Sequence, residues 1–143
     1  MLNEEVRRIM TTDHQTVTPS QTISEVSKMM TEYRIQQIPV VESGKLVGLV
    51  TSYDLWKNKD TNPDLKVQDV MTKNVLKITP IDKVGTAAEL FMDKRFKTLP
   101  VVNLRNELKG VVTAFDVIKH FFGKEYEPRQ TIYPEVFDST PPS

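Results

Sequence analysis

The chain has 143 residues, enough for one hydrophobic core, and carries 19 basic side chains against 19 acidic ones. A net charge of zero gives no broad electrostatic reason for DNA or an anionic membrane to be the main partner, so nucleic acid is not expected. Cysteine is absent and His14 and His120 are the only imidazoles, which excludes disulfides and thiolate metal sites and argues against a zinc enzyme.

The N-terminal Met1-Leu2-Asn3-Glu4-Glu5 lacks the basic start and apolar stretch of a signal peptide. With no apolar run long enough to span a membrane, a cytoplasmic protein is expected. A short arm, helical or extended, leads to Thr11. Gln15-Thr16-Val17-Thr18-Pro19 then alternates like a brief edge strand stopped by proline. Thr22 and Glu25 make a Thr-x-x-Glu capping pattern, and Ile23, Val26, Met30 and Tyr33 recur at spacings of three and four. A helix with that stripe buried is predicted. Ile38-Pro39-Val40-Val41 and Leu46-Val47-Gly48-Leu49-Val50 flank Glu42-Ser43-Gly44-Lys45, a turn whose glycine admits a positive φ, so the two runs form a hairpin. Thr51 caps a second helix. The polar stretch from Lys57 to Asp64 holds the linker.

The same order then starts again. Val6, Ile9, Met10 and Thr11 return as Val67, Val70, Met71 and Thr72, Thr18-Pro19 as Thr79-Pro80, and Ile38-Pro39-Val40-Val41 as Leu99-Pro100-Val101-Val102, all offset by 61. Gly48-Leu49-Val50-Thr51-Ser52-Tyr53-Asp54 reappears as Gly110-Val111-Val112-Thr113-Ala114-Phe115-Asp116 at an offset of 62. The added residue therefore falls between Val102 and Gly110, where Asn103-Leu104-Arg105-Asn106-Glu107 reads as a turn; a one-residue slip inside a strand would reverse its faces. Leu76-Lys77-Ile78-Thr79 is the second copy's first strand, and Val84, Ala87, Ala88, Phe91 and Met92 are the buried face of its first helix. Its last helix is predicted from about Ala114 to Phe122, stopped by Gly123. Residues 1–60 and 67–123 are thus two repeats, 61–66 links them, and 124–143 is a proline-containing tail expected to lack regular structure. Two units of this length are too few for an array, so one compact module with a pseudo-twofold is expected.

Each copy has a strand that leaves a glycine, passes two apolar residues, reaches a threonine and starts a helix with an aspartate three positions later. Two roles fit that spacing. Free amides and the threonine hydroxyl can meet phosphate while the carboxylate accepts from a diol such as ribose. Alternatively Thr51 with Asp54, and Thr113 with Asp116, are capping pairs only. Other conspicuous residues have ordinary roles: Met10, Met29, Met30, Met71 and Met92 as core filler, His14 as a surface residue, and Trp56 in the core or at a dimer surface.

The paired Val-x-x-hydrophobic-Met-Thr, Thr-Pro, hydrophobic-Pro-Val-Val and Gly-x-x-Thr-x-x-Asp pattern, from residue 6 to about 122, resembles the cystathionine beta-synthase (CBS) domain family, whose members pair as Bateman modules. The resemblance implies an α+β fold of two pseudo-twofold-related beta-alpha-beta-beta-alpha units packed through their sheets, with two clefts near the axis. It further implies a ligand among AMP, ADP, ATP and S-adenosylmethionine, and a homodimer. Carried over by position, Asp54 and Asp116 hold ribose hydroxyls, and Thr51 and Thr113 approach ribose or phosphate. Thr16, Val17, Ile38 and Pro39 in one copy, and Lys77, Ile78, Leu99 and Pro100 in the other, lie against adenine or pack the core. Lys97 stands where relatives meet phosphate, whereas the first copy has Gln36, so the clefts are unequal. Tyr53 and Phe115 stand where many relatives place a basic residue before the aspartate, which favours AMP or a sulfonium nucleoside over a polyphosphate.

The leading expectation is a regulatory, energy-sensing module that binds an adenosine nucleotide, has no catalytic cofactor, and signals through an oligomer or an unidentified protein target. The alternative is a structural dimerisation module without ligand. Catalysis is not expected, since no nucleophile and base stand in a recognisable arrangement.

Overall fold

A computed structural model describes residues 3–62 and 64–123; the expected tail at 124–143 lies outside them. The first copy contains α1 (Ile23–Tyr33), β1 (Gln37–Glu42), β2 (Lys45–Thr51) and α2 (Ser52–Lys57). The second contains α3 (Val67–Val70), α4 (Val84–Leu90), β3 (Thr98–Val102), β4 (Leu108–Thr113) and α5 (Ala114–Phe122). A 3-10 turn at Val6–Arg8 is the counterpart of α3. No helix among the described residues is long and apolar enough to cross a membrane.

Two antiparallel hairpins carry the architecture. In β1–β2, Ser43 and Gly44 both have positive φ, 53° and 80°, the requirement of a two-residue turn that matches strand twist. The second hairpin is longer. Val41 pairs with Leu46 but Val102 pairs with Leu108, so the extra residue sits in the turn, where Asn106 has a φ of 62°. That turn also breaks the pseudosymmetry: Asn106 accepts from the Leu46 amide at 3.0 Å and its Nδ2 donates to the Leu46 carbonyl at 2.7 Å. Leu108 donates to Gly44 at 3.1 Å, and Lys45 bridges Glu107.

The predicted first strands shrink to single parallel bridges, Val17 to Val40 and Ile78 to Val101. Pro19 and Pro80 follow too closely for a longer ladder. The predicted stripe of α1 holds for Ile23, Val26 and Met30, but Tyr33 ends the helix just before the left-handed Arg34 and is 48% exposed. Met92 is likewise outside the core, at 83% exposure, because α4 ends at Leu90 and its periodicity stops there.

The arms are exchanged between the copies. Val6, wholly buried, packs with Ile78, Val84, Leu99 and Val112 of the second copy, while Val67 packs with Val17, Val26, Ile38 and Val50 of the first. Backbone bonds repeat the exchange: Val6 donates to Asp82 and Val84 to Glu4, and Val67 donates to Gln21 and Ile23 to Leu65, all at 2.7–2.9 Å. Each Met-Thr step then lies along the opposite hairpin. Thr11 and Val111 exchange two amide bonds of 2.8 and 2.9 Å, as do Thr72 and Leu49. A Cβ on Gly110 would stand 2.9 Å from the Thr11 carbonyl, and one on Gly48 would stand 2.6 Å from Met71 Sδ and 3.0 Å from the Thr72 carbonyl. Both motif glycines are therefore where an arm crosses a strand.

Candidate functional site

Arm exchange leaves two cavities related by the pseudo-twofold. The larger, 740 Å³, is walled by Thr51, Tyr53, Asp54 and Lys57 of the first copy and by Thr72, 74–76 and 95–98 of the second. The smaller, 270 Å³, is walled by Thr11, Asp13, His14, Gln15, Tyr33, Ile35 and Pro39 of the first copy and by Val111 and Thr113 of the second. Gln37 and Thr98, equivalent in the repeat, line both.

Both threonine–aspartate pairs are complete capping boxes. Thr51 Oγ1 accepts from the Asp54 amide at 3.1 Å while Asp54 Oδ2 accepts from the Thr51 amide at 2.9 Å, and Thr113 with Asp116 repeats those distances. One oxygen of each carboxylate is so engaged. Asp54 is 8% exposed. Asp116 also accepts from the hydroxyl of Thr11, at 3.3 Å on Oδ1, which ties the first arm to the second copy's aspartate.

The residues expected to bind are scattered, and Asp116, bonded to Thr113 and Thr11, lines neither cavity. Thr51, Asp54 and Lys97 line the larger cavity, Pro39 and Thr113 the smaller. Val17, Ile38, Ile78, Leu99 and Pro100 are buried to 4% exposure or less and pack the two cores. Thr16 is exposed, and Lys77 is drawn away to Asn106 Oδ1 at 2.7 Å. The loops after each Met-Thr step, at 13–15 and 74–76, escaped notice; their signal was the repeated Met-Thr itself, since whatever follows an arm laid on a strand enters that strand's cleft. His14, expected at the surface, belongs to that wall.

Charge is distributed unevenly. Lys57, Arg95 and Lys97 line the larger cavity against one carboxylate, Asp54. Arg95 is shared with Asp93 at 2.7 Å, and that hydrogen bond holds the Asp93 carboxyl down to about 2. Gln37 fixes the cationic segment: its Nε2 donates to the Arg95 carbonyl at 2.9 Å, and its Oε1 accepts from the Lys97 and Thr98 amides at 3.0 Å.

Comparison with known proteins gives the same architecture. The CBS domain family model matches residues 6–55 and 67–123. An uncharacterized protein of Methanocaldococcus jannaschii is 33% identical over 76% of this chain and 36% of its own length. An inosine-5'-monophosphate dehydrogenase of Korarchaeum cryptofilum is 35% identical over 81% of this chain. The chain spans less than half the length of these relatives, 36% and 23%. Among solved structures, Arabidopsis thaliana CBSX2 in complex with AMP superposes with a TM-score of 0.75 at 26% identity, covering 82% of this chain and 96% of that one. The CBS domain pair of protein MJ0100, in complex with 5'-methylthioadenosine and S-adenosyl-L-methionine, gives 0.70 at 28% identity over 85% and 98%. With the family model matched twice, over both repeats and both exchanged arms, the chain belongs to the CBS domain family as a tandem pair.

Proposed function

We propose that this chain is a non-catalytic regulatory module that binds an adenosine nucleotide between its repeats and signals through an oligomer or partner interface. The observation that carries this is the pair of twin cavities, each with the threonine of a Thr-x-x-Asp step in its wall. Adenosine compounds in the CBSX2 and MJ0100 complexes support the ligand class. AMP is favoured over ADP, ATP and S-adenosylmethionine, because three cations suit one phosphate and Tyr53 and Phe115 add none. Residues 1–60 and 67–123 serve as the two repeats, in a cytoplasmic, energy-sensing role. Tyr53, Trp56, Phe115 and Ile118, each more than half exposed on α2 and α5, favour a homodimer or a protein target. A ligand would alter that assembly only through its difference in affinity for two arrangements.

A thermal-shift panel with AMP, ADP, ATP and S-adenosylmethionine tests this, since a ligand at 100 times its dissociation constant adds about 2.7 kcal/mol. A selective rise is expected. One observation favours a second reading: both threonine–aspartate pairs form complete capping boxes, a role that a structural dimerisation module accounts for in full. No shift at millimolar concentration would decide for that module.

A further inference from the structure

We propose, resting on the adenosine reading above, that the two cavities are sorted by charge: the larger takes a phosphorylated nucleotide and the smaller an adenosine compound without phosphate. The linings differ where the repeat would make them equal. Lys97, which makes no ion pair among the described residues, corresponds to Gln36, and Gln36 does not line the smaller cavity. Arg95 corresponds to Arg34, but Arg34 caps α1 in the left-handed region at φ 56° and is absent from that wall. Lys57 corresponds to Lys119, which is absent as well. In their place the smaller cavity has the Asp13 carboxylate and His14.

A phosphate entering the larger cavity meets cations whose charge-assisted bonds strengthen in a partly enclosed site. The same phosphate in the smaller cavity meets a carboxylate and no lysine or arginine, so it loses solvation without a partner. A thioether nucleoside has no such charge to desolvate, and a sulfonium is drawn to Asp13. Size agrees with charge: 740 Å³ lies within the ~300–1,000 Å³ of small-ligand sites and 270 Å³ lies at its lower edge. Gln37 maintains the division. It lies in the shared wall and holds the backbone of Arg95, Lys97 and Thr98, keeping the cationic segment on one side.

The chain has a native reporter for each cavity. Trp56, its only tryptophan, lies 6.2 Å from the ring of Tyr53 in the larger wall, and His14 stands in the smaller. The test titrates wild type, Lys97→Met and Asp13→Lys with AMP and with 5'-methylthioadenosine, reading Trp56 fluorescence and the His14 imidazole resonances. AMP should change Trp56 emission with salt-sensitive affinity, weakened roughly tenfold to a hundredfold in Lys97→Met. Methylthioadenosine should move His14 in wild type and in Lys97→Met alike, and that shift should persist under saturating AMP. Asp13→Lys, an exposed change, should admit AMP to the His14 site. Mutual displacement at one reporter, or equal AMP affinity at both in wild type, would overturn the sorting while leaving adenosine binding intact. Silence of both reporters and of the melting temperature with both compounds would overturn the adenosine reading and the sorting together.

Discussion

Asp54 and Asp116 each serve the fold before any ligand arrives. Each carboxylate accepts from its own threonine amide, closing a reciprocal cap at the start of α2 and α5. Alanine at either position should therefore cost about 0.5–2 kcal/mol in urea denaturation. Binding by an Asp54→Ala protein with wild-type affinity would sink the ribose assignment, because the cap and the ligand contact are lost together. Asp93, outside the cavity lining, acts through Arg95. Its hydrogen bond to Arg95, aided by the Arg95 backbone amide, depresses its carboxyl to about 2 from the ordinary 3.8. For a carboxyl lowered on folding, the stabilisation is present above 3.8 and fades as pH falls toward 2. Exposure leaves the pair open to salt. Asp93→Asn should keep an acceptor for the Arg95 amide yet release the guanidinium's charge into the larger cavity. Tighter AMP binding in that variant, with a steeper salt dependence, is the expected calorimetric outcome; weaker binding would count against Arg95 as a phosphate contact. At this scale Thr51 and Asp54 were legible as a capping pair from their spacing, and their place and that of Lys97 in a cleft wall followed from the family resemblance. His14 and Arg95 were not, since their place depends on which copy's loop they face.

Among the elements, the exchanged arm is what the repeat concealed. A period near 61 residues says that Met10-Thr11 and Met71-Thr72 are equivalent, but either arm could lie on its own hairpin or on the other. The glycines record the result: Gly110 lies beneath Thr11 and Gly48 beneath Thr72, close enough for paired amide bonds. Gly110→Ala would press a methyl against a backbone carbonyl at 2.9 Å, which must shift, and should cost about 1–3 kcal/mol. Hydrogen exchange at Thr11 and Val111 should quicken while Thr72 and Leu49 stay protected, and uniform loss across all four would show that the arms do not respond separately. Hairpins and the last helix were readable from local pattern: positive φ at Gly44, the turn insertion near Asn106, and α5 ending before Gly123 all follow from adjacent residues. The first strands were overread because alternation in Gln15 to Thr18 and Leu76 to Thr79 is cut short by Pro19 and Pro80, with only Val17 and Ile78 reaching the ladder.

Across the molecule, reciprocal exchange makes neither repeat complete by itself. The second copy's core contains Val6 and the first copy's contains Val67, both at 0% exposure, and each contributes on the order of 2 kcal/mol by burial. A chain joined in this way should lose both cores together. Trp56 reports the first copy, and methyl resonances of Val101 and Val112 report the second. Their urea transitions should coincide, since the arm that leaves one core has its own repeat anchored in the other. Val67→Ala supplies the sharper case: it lies in the second repeat by sequence, yet exchange protection should fall first in β1 and β2, where its side chain packs. Loss confined to β3 and β4 would mean that each repeat keeps its own arm. Cooperation of this kind also bears on signalling, because both cavities have an exchanged arm in one wall. Under the proposed function, a ligand in the larger cavity would meet both Thr72 of the second copy and Leu49 of the first, the two residues whose paired amide bonds join the repeats there.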